Sequence, residues 1–138
     1  MKTISQDSID TIKPVLEKAI IALEFKKDDI SNFFSEDKIA FIQAPINNTI
    51  QSIQKFFKFI ENPINEDNIL ELELNDYLAV VNSIDNMIET LNNTIRAAQR
   101  FNGIDSDSFV RLFDKVNKIQ DSKYELVEMY NKVKWNKD

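Results

Sequence analysis

Apolar residues recur along this chain in steps of three and four, the spacing that gathers side chains on one face of an α-helix. The sharpest instance is Leu70, Leu74, Tyr77, Val81, Ile84, Ile88, Leu91, Ile95 and Ala98, a seam of about four heptads that only other helices can cover. Three more segments repeat the pattern. Ile9, Ile12, Leu16, Ala19, Leu23, Ile30 and Phe34 line a first helix, with Lys27 intruding on the stripe. Ile39, Ile42, Ile46, Ile50, Ile53, Phe57 and Ile60 line a second, and Phe109, Leu112, Val116, Ile119, Leu126, Val127 and Tyr130 line a last one.

The joints carry the residues that end and start helices. Ser35 followed by Glu36 and Asp37 reads as an N-cap with acids in the first turn. Asn62-Pro63 closes the second helix, Asn65-Glu66-Asp67 opens the third, and Asp105 caps the fourth. The single glycine, in Asn102-Gly103, stands where a helix C-terminus favours positive φ. Short joints between helices of roughly 26 to 35 residues, about 40 to 50 Å long, predict an all-α fold. Its economical form is an antiparallel up-down-up-down four-helix bundle filling residues 1–138 as a single domain. Pro14 and Pro45 fall within or near helical patterns and predict kinks at one or both positions. The alternation Leu70-Glu71-Leu72-Glu73-Leu74 also fits a short strand, the lesser reading between two helical patterns.

Composition removes several chemistries. Among 138 residues there is no Cys and no His, so disulfides, thiol nucleophiles, imidazole bases and His or Cys metal ligands are excluded outright. One Gly leaves no phosphate-binding loop or nucleophile elbow. The start, Met1 to Asp7, has no apolar core of a secretory signal, and no run approaches the ~20 apolar residues of a membrane helix, so a cytoplasmic protein off the membrane is expected. With 17 basic and 23 acidic side chains, a net charge of −6 argues against direct nucleic-acid binding. Glu125 and Glu128 form the one Glu-x-x-Glu pair and read as solvated acids on an outer face. Asp105-Ser106-Asp107-Ser108 resembles the opening of a calcium loop, but Val110 and Val116 stand where that loop needs Gly and Glu. No catalytic, cofactor or metal residue is therefore named.

The charge is unevenly placed. Between Phe59 and Ile95 there are eight acids and no base, which leaves 15 acids against 17 bases elsewhere. One reading is internal: acids complement the start of the third helix, with Lys55, Lys58, Lys132, Lys134 and Lys137 brought alongside. The other is a surface that steers a basic partner. Several large apolar residues also fall off the core stripes, with Met129 and Trp135 among them on the last helix. Either kinks turn them inward or they meet another molecule. The candidate contacts are the acids Glu66, Asp67, Glu71, Glu73, Asp76, Asp85 and Glu89, and the apolar Ile21, Phe25, Phe41, Phe59 and Leu72.

The expected function is non-enzymatic binding of another protein, one with a basic surface. Small acidic helical binders of this type include antitoxins and immunity proteins, phage-encoded inhibitors of host defence enzymes, and assembly or secretion chaperones. Two rivals are a homo-oligomeric structural bundle and a carboxylate-metal enzyme acting on nucleotides.

Overall fold

The computed structural model describes residues 2–101 and 105–135, and helices account for most of them. In chain order they are α1 (Gln6–Phe33), α2 (Glu36–Phe59), α3 (Leu74–Phe101) and α4 (Ser106–Trp135), with one 3-10 turn at Ile69–Glu71 before α3. This is the all-α four-helix bundle that the periodicity demands. The Asn102-Gly103 joint and Lys137 lie outside the described residues.

Local chemistry sets the helix ends. Ser5 caps α1: its Oγ accepts from the Ser8 N–H at 3.2 Å, and Asp7 adds an acid to the first turn. Phe34 leaves α1 in an extended conformation, and Ser35 starts α2 after a connection of only two residues. The Ser35 hydroxyl turns to the Asp37 carboxylate at 2.6 Å and caps no backbone N–H. Asp105 caps α4, accepting from the Ser108 N–H at 2.8 Å. That bond, with a second from the Ser108 hydroxyl, holds the Asp105 carboxyl below the ordinary carboxylate range. The same contacts account for the residues that resemble a calcium loop. Pro14 and Pro45 both lie inside their helices, where each removes one backbone donor.

α1 neighbours all three other helices and meets α3 across the bundle, whereas the α2 and α4 backbones stay apart among the described residues. Ile12, Leu16, Ile53, Phe56, Val80, Ile84, Ile119 and Leu126 are among the fully covered side chains, drawn from all four helices. Ile4 and Ile64 close one end, tied by the Ile4 N–H to the Ile64 carbonyl at 2.8 Å and an isolated bridge between Thr3 and Asn65. Tyr77 stacks on Tyr130 in the core, centroids 3.8 Å apart and planes 9° from parallel. Burial first, then the Tyr130 and Asp85 charges, pushes the Tyr77 hydroxyl above its ordinary value. Among the described residues the buried Tyr130 hydroxyl has no hydrogen-bond partner.

The expected phase of α3 is wrong at its start. Leu70 and Leu74 are exposed, and Ile69 and Leu72 are buried in their place. The heptad seam assumed one helix from residue 66 onward, but the chain makes a 3-10 turn and then an extended step at Leu72, ψ 114°, before α3 begins. A helical phase cannot be carried through that step, nor is the Leu70–Leu74 alternation a strand. From Tyr77 onward the seam holds at Ile84, Ile88 and Ile95, with Val80 fully buried beside the half-buried Val81. On α2 the fully buried ring is Phe56, not Phe57, and on α4 Met129 belongs to the core. Phe34, assigned to the α1 stripe, is exposed.

Leu72→Ala should therefore cost about 2–5 kcal/mol in urea unfolding, whereas Leu70→Ala should stay within about 0.5 kcal/mol of the parent. A seam through Leu70 requires the reverse order.

Candidate functional site

The acidic segment divides once it is placed on the fold. Glu66 lies 3.4 Å from the Lys132 amine and Asp85 lies 2.6 Å from the Lys123 amine, so α4 answers two of the acids. Asp76 is only 5% exposed and sits in the first turn of α3, where the helix N-terminus favours a carboxylate. It lines a shallow cleft with Glu71, Glu73, Lys55 and Lys58. Asp67 supplies its N–H to an Asn65–Asn68 turn in which Asn65 Oδ1 accepts from the backbone of both Asp67 and Asn68. Asp67, Glu71, Glu73 and Glu89 keep exposed side chains without an ion pair among the described residues. The internal reading of the charge thus accounts for Glu66, Asp76 and Asp85, and the continuous acidic face is reduced to four members.

The apolar candidates divide in the same way. Leu72 is buried, and Phe59 is half-buried with its ring tilted on Phe56 at 6.4 Å, so both belong to the core and leave the contact set. The kinked-helix account of these two is unnecessary: Leu72 precedes α3, and Phe59 closes α2 over the core. Ile21, Phe25 and Phe41 are exposed as expected.

They have neighbours that the helical wheel passed over. Phe33 and Phe34 are also exposed at the α1–α2 joint. Between Glu17 and Pro45 no side chain is fully buried, although Ala19, Ile20 and Leu23 pack partly against the core. The two helices are held together there by polar contacts: Gln43 Nε2 donates to the Lys27 carbonyl and to Ser31 Oγ, each at 2.9 Å. Around the joint, Asp28, Asp29, Glu36 and Asp37 are exposed, flanked in sequence by Lys26, Lys27 and Lys38. The result is an aromatic tip with Phe33 80% exposed among charges of both signs, and Phe41 84% exposed further along α2.

Glu125 departs from its expected place on an outer face. Its carboxylate accepts from the Ser5 N–H at 2.6 Å, the Ser5 hydroxyl at 3.1 Å and the Ser8 hydroxyl at 2.6 Å. Burial raises its pKa, but these bonds together outweigh it, and the group lies below the ordinary glutamate range. Glu125 is thus a clamp between α4 and the N-terminus of α1. Its Glu-x-x-Glu spacing carried no trace of that role, because the partners lie 117 and 120 positions away. Among the described residues no group of three or more acids is placed to hold a metal ion, and no helix is long and apolar enough to cross a membrane.

Glu125→Ala should destabilise the bundle by about 1–2 kcal/mol at neutral pH, through three lost charge-assisted bonds. Because the folded pKa is depressed, this contribution is complete above the ordinary value near 4.5 and is lost as pH falls through the lower folded value. Thermal melts should therefore converge between variant and parent at acid pH; a constant gap down to full protonation would refute the clamp. Comparison with known protein families, with curated proteins and with solved structures finds no match to this chain, so its surface is the only guide to function.

Proposed function

We propose that this protein is a non-enzymatic binding module that engages another protein through the exposed aromatic tip where α1 meets α2. The observation that carries this reading is the combination in residues 17–45: no fully buried side chain, and five large apolar groups, Ile21, Phe25, Phe33, Phe34 and Phe41, left in water. A helix pair that only half covers its apolar residues has more to gain from a partner than from solvent, at about 1.5–3 kcal/mol for each large side chain taken out of water.

The residues at the joint state the chemistry of the partner. Phe33 and Phe34 call for an apolar groove, and the four carboxylates beside them, against Lys26, Lys27 and Lys38, leave a small negative excess that a basic rim would meet. The exposed acids Asp67, Glu71 and Glu73 stand a full α2 length from this tip, several Debye lengths of about 8 Å away, and form a separate charged patch. Small acidic helical binders that meet basic grooves include antitoxins and immunity proteins, phage-encoded inhibitors of defence enzymes, and assembly or secretion chaperones; a cytoplasmic setting fits each of them.

A photo-crosslinking residue placed at Phe34, and separately at Glu73, tests the reading in the native cell. A discrete covalent adduct is expected at position 34, weakened by Phe33→Ser and by salt above about 0.15 M. Adducts at position 73 alone would transfer the contact to α3, and none at either position would overturn the proposal. Phe33→Ser should change stability by less than about 0.5 kcal/mol, since the ring is in water already.

A further inference from the structure

The outer face of α4 carries three aromatic residues at equal intervals. Phe113, Tyr124 and Trp135 are 11 residues apart. Eleven residues exceed three helical turns by about 20°, so the rings form one line with a step of about 16 Å. They are 42%, 64% and 67% exposed, while Val116, Ile119, Leu126 and Tyr130 bury the opposite side of the same helix. Phe113 leans on Phe109 at 4.9 Å; Tyr124 and Trp135 have no aromatic partner among the described residues.

The line reads alike in both directions. About Tyr124, Phe113 mirrors Trp135, Asn117 mirrors Asn131 and Gln120 mirrors Glu128. A two-fold axis through Tyr124 sets each of these residues against its mirror position in a second, head-to-tail copy. The charges agree with that arrangement. Asp114 and Lys132 are 18 residues apart, five full turns, and so share one edge of the helix. In a two-fold head-to-tail pair like edges meet, which brings Asp114 of one copy within about 3 Å, along the axis, of Lys132 of the other, twice over. Lys132 is already steadied by Glu66 with its side chain 56% exposed, and Asp114 has no ion pair among the described residues.

We propose that the protein forms a two-fold dimer through this face, with two copies of α4 packed head to tail about Tyr124. The exposed parts of the three rings come to roughly 350 Å² per copy, at about 200 Å² for a whole aromatic side chain. Two copies contribute roughly 700 Å², and the amides between the rings with the charged edge extend this toward the ~1,200 Å² of the smaller specific interfaces. The mirrored amides fix the register, since a shift along the axis sets Asn117 and Asn131 against rings. The dimer uses none of the residues of the α1–α2 tip, so the two proposals stand or fall separately.

The chain has no cysteine, which makes an introduced one unambiguous. Oxidised Tyr124→Cys is expected to form a covalent dimer. Phe113→Cys and Trp135→Cys, each oxidised alone, are expected to stay single and to join only when mixed. By sedimentation the parent should dimerise in the micromolar range, and Tyr124→Asp should raise the Kd roughly 30-fold with helicity unchanged. A parent that stays monomeric throughout that range overturns the proposal, and so does Phe113→Cys cross-linking to itself, which would put the copies in the wrong direction.

Discussion

The extent of the buried core is the constraint on which the rest of this molecule depends. On α1 full burial stops at Leu16, and on α2 it begins only at Ile46, yet the two helices are joined by just two residues. Both must therefore run on past the packed region before the chain can turn. The extra turns are held to each other by Gln43 and by half-covered aliphatic side chains, and their aromatic residues stay largely in water. Exposure at the tip follows from where the core ends, not from a separate device.

At the opposite end the molecule is closed with care. The 3-10 turn, the Asn65–Asn68 turn, the Thr3–Asn65 bridge and the Glu125 clamp bring the N-terminal segment, the α2–α3 connection and α4 into one polar seal over Ile4, Ile64 and Ile69. Three hydrogen bonds converge on the Glu125 carboxylate, so it holds this end more firmly than a single exposed ion pair would. A bundle tight at one end and loose at the other will open first at the loose one.

The sequence made the helices legible because a stripe of Ile and Leu at helical spacing has few other uses, and because Ser35 and Asp105 stand where caps stand. It misled where the chain stops being a helix. Leu70, Leu72 and Leu74 look interchangeable in a linear pattern, and only the extended step at Leu72 decides which of them is covered. The candidate contacts split for a related reason. Ile21, Phe25 and Phe41 lie so far round their helices that no small error in phase could hide them, whereas Phe59 and Leu72 sit at helix boundaries, where the phase is undefined. The pairing of Glu66 and Asp85 with lysines of α4 was foreshadowed by the base-free stretch, but the clamp at Glu125 was not, since its serines are distant in the chain and carry no charge.

The tryptophan is single, and it lies at the last turn of α4 in contact with water. Its emission will therefore be that of a solvated indole in the folded monomer, much as in the unfolded chain, and will shift when something covers α4. The core speaks instead through the stacked Tyr77 and Tyr130, whose coupled rings give the native state a near-ultraviolet dichroism that vanishes when they part. In this protein the usual optical probe of folding is a probe of association, and the tyrosine pair takes over the reporting of the fold.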